Sequence, residues 1–296
     1  MSAPFAGLGV ALATPFTQSG DVDLDALRKL VVRTVSGGVQ FLVPLGTTGE
    51  AATLEADERD LVVKTVLEHA RGVPVCAGCG SNSTAAAARL VRRARELGAQ
   101  GALVVTPYYN KPMPEGQLAH FRACADAAPG FPLVAYNVPG RTAVNMTADT
   151  IVKILEISEV VAVKESSGNL VQIAEVARRL PTGKTLLAGD DNIALPSIAV
   201  GATGLVSVLG NVRPRATRRL LDAALAGERV KAAALHARLL PLMEALFVES
   251  NPIPAKCALA LEGIGDGSLR LPLTTARPAT SALLERLLAE TPDDLG

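Results

Sequence analysis

The sequence predicts an α/β chain folded as a (β/α)8 TIM barrel with a C-terminal helical extension. Three observations carry this. Short apolar runs rich in Val, Leu, Ala and Gly alternate with longer helix-patterned segments along most of the chain. The runs read as strands buried on both faces, as parallel strands covered by helices are. A GxGxxG fingerprint after the first run, usual in a doubly wound dinucleotide-binding sheet, is absent.

The elements follow in order. Gly9 to Thr14 is the first run, and Asp23-Leu24-Asp25 offers a cap for a helix ending near Ser36. Gln40 to Leu45 is the second; it ends in Gly46-Thr47-Thr48-Gly49-Glu50 and precedes a helix from Ala56 to His69. Val73 to Ala77 is the third, after which Asn82-Ser83-Thr84 caps an Ala/Arg-rich helix to Leu97. Gly101 to Thr106, the fourth, runs into Pro107-Tyr108-Tyr109-Asn110 and a helix from Glu115 to Ala127. Phe131 to Tyr136 is the fifth, followed by Asn137-Val138-Pro139-Gly140-Arg141-Thr142 and a helix over Ala148 to Leu155. The sixth, Val160 to Lys164, meets a Ser/Gly/Asn turn and a helix from Leu170 to Leu180. Lys184 to Ala188 and Gly204 to Leu209 are the seventh and eighth. Beyond Pro214 only helical patterns remain, at Leu220 to Leu225, Val230 to Leu246 and Ala279 to Ala289. This places the barrel at residues 1–214 and the extension at 215–296, packed as one structural unit.

Composition narrows the function. The 29 basic and 29 acidic side chains cancel, and no basic block exists, which argues against nucleic acid or an anionic membrane as partner. The apolar N-terminus has no basic n-region, so it reads as a strand, not a signal peptide. No apolar run reaches the length of a membrane span. Four cysteines do not make a disulfide framework in a chain of 296 residues, and a reducing cytoplasm is the expected compartment.

Active sites of such barrels lie at the C-terminal ends of the strands. Those ends carry Thr47 and Thr48, Tyr108 and Tyr109, Tyr136 and Arg141, Lys164, and Gly189, which include all three tyrosines of the chain. Lys164 closes a buried run, where an amine loses hydration and becomes nucleophilic, the requirement for Schiff-base chemistry. The Gly46-Thr47-Thr48-Gly49 turn offers N–H groups and hydroxyls to a carboxylate. Arg141 offers a bidentate fork to a second carboxylate. Tyr109 and Tyr136 offer phenols for proton relay. Other candidates are weaker. Cys76 and Cys79 form a C-x-x-C on a strand, where this spacing sends the thiols to opposite faces. His69, His120 and His236 sit on helices away from strand ends. Glu165 alternates away from Lys164.

Taken together, Gly46-Thr47-Thr48-Gly49-Glu50, Thr106-Pro107-Tyr108-Tyr109-Asn110, Tyr136-Asn137-Val138-Pro139-Gly140-Arg141-Thr142, Val163-Lys164-Glu165, Gly189-Asp190-Asp191 and Asn251-Pro252-Ile253-Pro254 are jointly specific. They resemble the pyruvate-dependent class I aldolases of the N-acetylneuraminate lyase superfamily, and within it the dihydrodipicolinate synthase family. The resemblance implies a cytoplasmic lyase of diaminopimelate and lysine biosynthesis, a homotetramer built as a dimer of dimers, with no metal and no cofactor. It implies condensation of pyruvate with L-aspartate-β-semialdehyde to 4-hydroxy-tetrahydrodipicolinate. In that reading Lys164 forms the Schiff base. Thr47, Tyr136 and Tyr109 form the proton relay, with Tyr109 reaching the neighbouring subunit's site. Thr47 and Thr48 hold the pyruvate carboxylate, Arg141 holds that of the aldehyde, and Gly189 and Val206 line the pocket.

Two other readings compete. Sialic-acid and sugar-acid lyases share the lysine, the turn and the tyrosine, but Arg141 suits a short carboxylate-bearing aldehyde better than a polyol. A non-catalytic oxo-acid-binding barrel would not need every relay residue. In feedback-regulated members, lysine is helped by a histidine and a glutamate at the subunit interface. Here Ala56, Arg59 and Ala86 stand in that region, although Asn82 and Tyr108 remain, so lysine inhibition is expected to be weak or absent.

Overall fold

The computed structural model describes residues 5–295; Met1 to Pro4 of the N-terminal stretch fall outside them. Eight strands alternate with helices: β1 (Gly7–Ala11), α1 (Leu24–Ser36), β2 (Phe41–Val43), α2 (Ala56–His69), β3 (Cys76–Gly78), α3 (Thr84–Glu96), β4 (Gly101–Val105), α4 (Pro114–Asp126), β5 (Leu133–Asn137), the short α5 (Pro139–Thr142), α6 (Ala148–Leu155), β6 (Val160–Glu165), α7 (Leu170–Arg178), β7 (Thr185–Ala188), α8 (Ala194–Ala199), β8 (Gly204–Ser207) and α9 (Pro214–Leu225). The C-terminal layer adds α10 (Arg229–Ala245), α11 (Ile253–Leu261) and α12 (Pro278–Glu290). Strand order is β2-β1-β8-β7-β6-β5-β4-β3, with the named pairings all parallel. A parallel bridge from Leu42 to Val75 joins the two ends and closes the barrel.

Local chemistry explains the helix starts. Asp23, Ser83, Thr147 and Asn169 each accept a first-turn N–H through the side chain, a cap worth about 1 kcal/mol apiece. Pro occupies the first turn of α4, α9, α11 and α12, where its missing N–H costs nothing. Sequence periodicity passes over α5, α8 and α11, because four, six and nine residues interrupted or opened by proline show too few turns to set a period. Helix α9 begins at Pro214 and packs on β1 and α8, so the 214/215 division falls within a helix of the barrel wall.

Strand alternation divides the core in two. Ala11, Phe41, Val43, Leu103, Val134, Tyr136, Ala162, Leu187 and Val206 fill the barrel interior. Leu8, Val10, Leu42, Val104, Leu133, Val163 and Leu205 face the helices in the larger outer core. At the N-terminal end Phe5 and Phe41 meet edge-to-face with centroids 5.5 Å apart. Gly9 and Gly101 make room for this plug: a Cβ at either would stand 2.2 or 2.4 Å from a ring atom. The extension is fastened by Arg213, nearly buried, which donates to Leu288 O at 2.8 Å, Glu262 Oε1 at 2.5 Å and Thr291 O. One end of the barrel is thus packed shut, and polar side chains collect at the other.

Candidate active site

Residues Tyr136 and Lys164 are register partners on β5 and β6. The same alternation that packs Val134 and Ala162 in the interior turns both side chains into the barrel mouth. Lys164 is buried, and its Nζ lies 4.2 Å from the centroid of the Tyr136 ring. Glu165 points the other way. It accepts from Ser167 N at 2.6 Å, Asn137 Nδ2 at 2.9 Å and Gln172 Nε2 at 3.3 Å on the outer side of the barrel. Burial raises its carboxyl above the usual carboxylate range, with these hydrogen bonds opposing the shift.

Thr47, Thr48, Tyr136, Arg141, Lys164 and Gly189 share the wall of one cavity of about 50 Å³. A larger cavity of about 390 Å³ adjoins it, with Gly46, Thr47, Tyr136, Arg141 and Asn251 common to both. Gly189 is required for this geometry: a Cβ there would stand 1.8 Å from Ser166 Oγ and 2.9 Å from Lys164 Cε.

The threonine turn follows β2. Gly49 N–H donates to Gly46 O and Glu50 N–H to Thr47 O, each at 3.1 Å, while Thr14 Oγ1 donates to Gly49 O at 2.8 Å. Thr48 is buried and its hydroxyl accepts Asn251 Nδ2 at 2.9 Å. Asn251 O in turn accepts Arg141 Nη2 at 3.2 Å. Asn251 is therefore a bridge between the two anion-binding candidates, and its buried Oδ1 has no partner among the described residues. Sequence reasoning named Asn251 only inside a matching segment. The proline-punctuated Asn-Pro-Ile-Pro is the available signal, but it lies in the extension, away from the strand ends.

Val206 and Tyr109 do not line the small cavity. Val206 packs in the barrel interior, and the wall residue on the β8 side of the small cavity is Val208. Tyr109 is 88% exposed, with φ 73°, and lines neither cavity; Tyr108 lines the larger one. Asp190, one residue past Gly189, also lines the small cavity, and burial raises its carboxyl while the nearby Lys164 opposes the shift. Asp191 is fully buried and accepts from Ser207 Oγ, from Val208 N at 2.9 Å and from Leu209 N at 3.0 Å, so it shapes the turn that carries Val208. Its carboxyl is likewise raised by burial.

No cysteine or histidine lines either cavity. Cys76 faces the barrel interior and Cys79 the outer core, on opposite faces as their spacing requires. Burial pushes the Cys79 thiol up to about 12. His120 is buried on α4 against Thr84 Oγ1 at 3.0 Å. No helix among the described residues is long and apolar enough to cross a membrane.

A cavity that gathers a buried lysine, a stacked tyrosine, a threonine turn and an arginine also has close relatives. Residues 4–291 match the model of the dihydrodipicolinate synthetase family. The 4-hydroxy-tetrahydrodipicolinate synthase of Geobacter metallireducens is 46% identical, with 97% of this chain and 98% of that protein aligned. Among solved structures, dihydrodipicolinate synthase from Aquifex aeolicus superposes with a TM-score of 0.93 at 41% identity, covering 97% of this chain and 98% of the other. The enzyme from Cyanidioschyzon merolae with lysine bound superposes at 0.95 and 39% identity, covering 98% and 99%. With this likeness running along nearly the whole chain and its eight-stranded barrel, the chain belongs to the dihydrodipicolinate synthetase family.

Proposed function

We propose that the chain is a lyase that condenses pyruvate with L-aspartate-β-semialdehyde through a Schiff base on Lys164, giving 4-hydroxy-tetrahydrodipicolinate for diaminopimelate and lysine biosynthesis. The observation that carries this is the placement of Lys164, buried and stacked near Tyr136, in one cavity with Thr47, Thr48 and Arg141. The names of the relatives agree with it.

The chemistry assigns each side chain a task. The Lys164 amine attacks C2 of pyruvate, and loss of water leaves an iminium that serves as an electron sink. A methyl proton passes to the Tyr136 phenol relay, with Thr47 its next link, and the resulting enamine carbon attacks the aldehyde carbon. The aldehyde oxygen takes up a proton. The substrate's own amine then attacks C2, the ring closes, and the Lys164 amine leaves. Phenols suit these transfers because they move protons without holding full charge at neutral pH. Thr47 and Thr48 hold the pyruvate carboxylate and Arg141 that of the aldehyde. Gly189 keeps the space beside the Lys164 stem open.

The working assembly is a cytoplasmic dimer of dimers, in which Tyr109 of one protomer completes the relay of its neighbour. Support comes from Tyr109 itself. An exposed tyrosine at positive φ is conformationally costly, and such strain clusters at functional sites.

Borohydride reduction in the presence of pyruvate tests the reading. A mass increase confined to Lys164 and lost in Lys164→Ala is expected, and absence of the adduct sinks the Schiff-base mechanism. Turnover of longer sugar acids in preference to aspartate semialdehyde would overturn the role of Arg141.

A further inference from the structure

An ion pair buried more deeply than any other between described residues lies outside the small cavity. Lys256 on α11 donates from Nζ to Glu50 Oε1 at 2.6 Å, and the two side chains are 3% and 1% exposed. The other carboxylate oxygen of Glu50 accepts the N–H of Arg270 at 3.2 Å. Lys256 Nζ also stands 4.1 Å from the centroid of the Phe16 ring. Taking both charges out of water offsets much of their mutual attraction, so a packed apolar pair would hold the fold as well or better. The pair therefore calls for a reason other than stability.

Its location supplies one. Glu50 ends the Gly46-Thr47-Thr48-Gly49 turn in the left-handed region, at φ 49° and ψ 36°, and Leu45 begins it at φ 60°. Neither is glycine, and such conformations persist only where the surroundings over-determine them. The Glu50 end is clamped by a charge from α11. The segment just before α11 carries Asn251, whose amide holds the Thr48 hydroxyl. The two contacts join one side of the threonine turn to one stretch of the extension.

We propose that Lys256 and Glu50 are positioning residues for the pyruvate carboxylate subsite: their ion pair sets the orientation of Thr47 and Thr48 toward Lys164. Neither lines the small cavity that holds Lys164, although Glu50 borders the larger one beside it. The inference rests on the reading that Thr47 and Thr48 hold that carboxylate.

The test compares the KM for pyruvate, the KM for the aldehyde and kcat in Lys256→Met, Glu50→Gln, their double variant, Lys256→Arg and a Thr47→Val reference. Lys256→Met should raise the KM for pyruvate by about ten-fold or more, since small misplacements of a binding group can cost that much. The KM for the aldehyde should change by no more than about two-fold, within the error of such comparisons. The double variant leaves no lone buried charge, so it should recover the thermal stability lost by Lys256→Met yet keep the raised KM. Lys256→Arg should recover part of the affinity. A folded double variant with the native KM for pyruvate overturns the proposal, as does equal movement of both KM values. An unchanged KM for pyruvate in Thr47→Val overturns the assignment of the turn itself. A rise in Thr47→Val without one in the double variant overturns only the role of the ion pair.

Discussion

The Lys164 Nζ lies 4.2 Å from the centroid of the Tyr136 ring, with the two residues paired in register on adjacent strands. The contact is set by backbone pairing, so changing either side chain leaves its partner in place. Tyr136→Phe keeps the ring and removes the phenol. It should lower kcat by about 10²-fold or more, the usual worth of a general acid–base group. Borohydride trapping of pyruvate on Lys164 should persist. Native turnover in this variant would remove Tyr136 from the relay.

Gly189→Ala should fold normally and lose activity. The new Cβ meets Ser166 Oγ at 1.8 Å and Lys164 Cε at 2.9 Å, both of which can rotate, and Ser166 Cβ at 3.1 Å, which must give by a few tenths of an ångström. Stability therefore changes little, while the amine leaves its productive position, at a cost of about 10²-fold for a shift near 1 Å. Thermal melts alongside the rate of imine formation separate the two effects. A large drop in melting temperature would contradict this account.

Acid sensitivity should have a contribution from His120. Burial lowers its pKa from 6.5 to about 4. A depressed folded-state pKa means that the unfolded chain binds the proton more readily between these values. Stability from this group is thus complete above about pH 6.5, is lost as pH falls toward 4, and then levels off. From pH 7 to pH 5 the loss should be about 2 kcal/mol by linkage. Denaturant unfolding at the two pH values, in the native protein and in His120→Gln, checks it; an equal slope in both would remove the histidine from the explanation.

Lysine should inhibit weakly or not at all. Arg59 lines the larger cavity, donates to Ala51 O at 2.9 Å and Gly78 O at 2.8 Å, and sets a guanidinium there that repels a cationic ligand. Burial lowers the Arg59 pKa, with nearby groups opposing the shift. Half-inhibition by lysine well below about 1 mM, the range of an ordinary specific site, would falsify this expectation.

Much of the site was readable before the fold was known, for a local reason. A parallel strand covered on both sides must be an apolar run, and the first polar residue past it stands at the barrel mouth, which located Lys164, Tyr136 and the threonine turn. Helix boundaries followed from caps: Asp23 and Ser83 are used as their types suggest. Where the signal is weak, it is short or lies just past the end of a strand. Helix α8 has too few turns to show a period, and the small-cavity wall beyond β8 is formed by Val208 after the chain leaves the strand, not by Val206 within it.

The sequence by itself determined the order of eight strands, the faces they bury and the identity of the lysine, because hydrophobic period and turn chemistry act between near neighbours. Only the tertiary structure decided that Asn251 holds Thr48 from 203 residues away and that Lys256 clamps Glu50 from 206. Those contacts depend on where a C-terminal layer comes to rest on a closed barrel. No local pattern encodes that placement, since it is settled by packing and by the pairing of buried charges once the chain has closed.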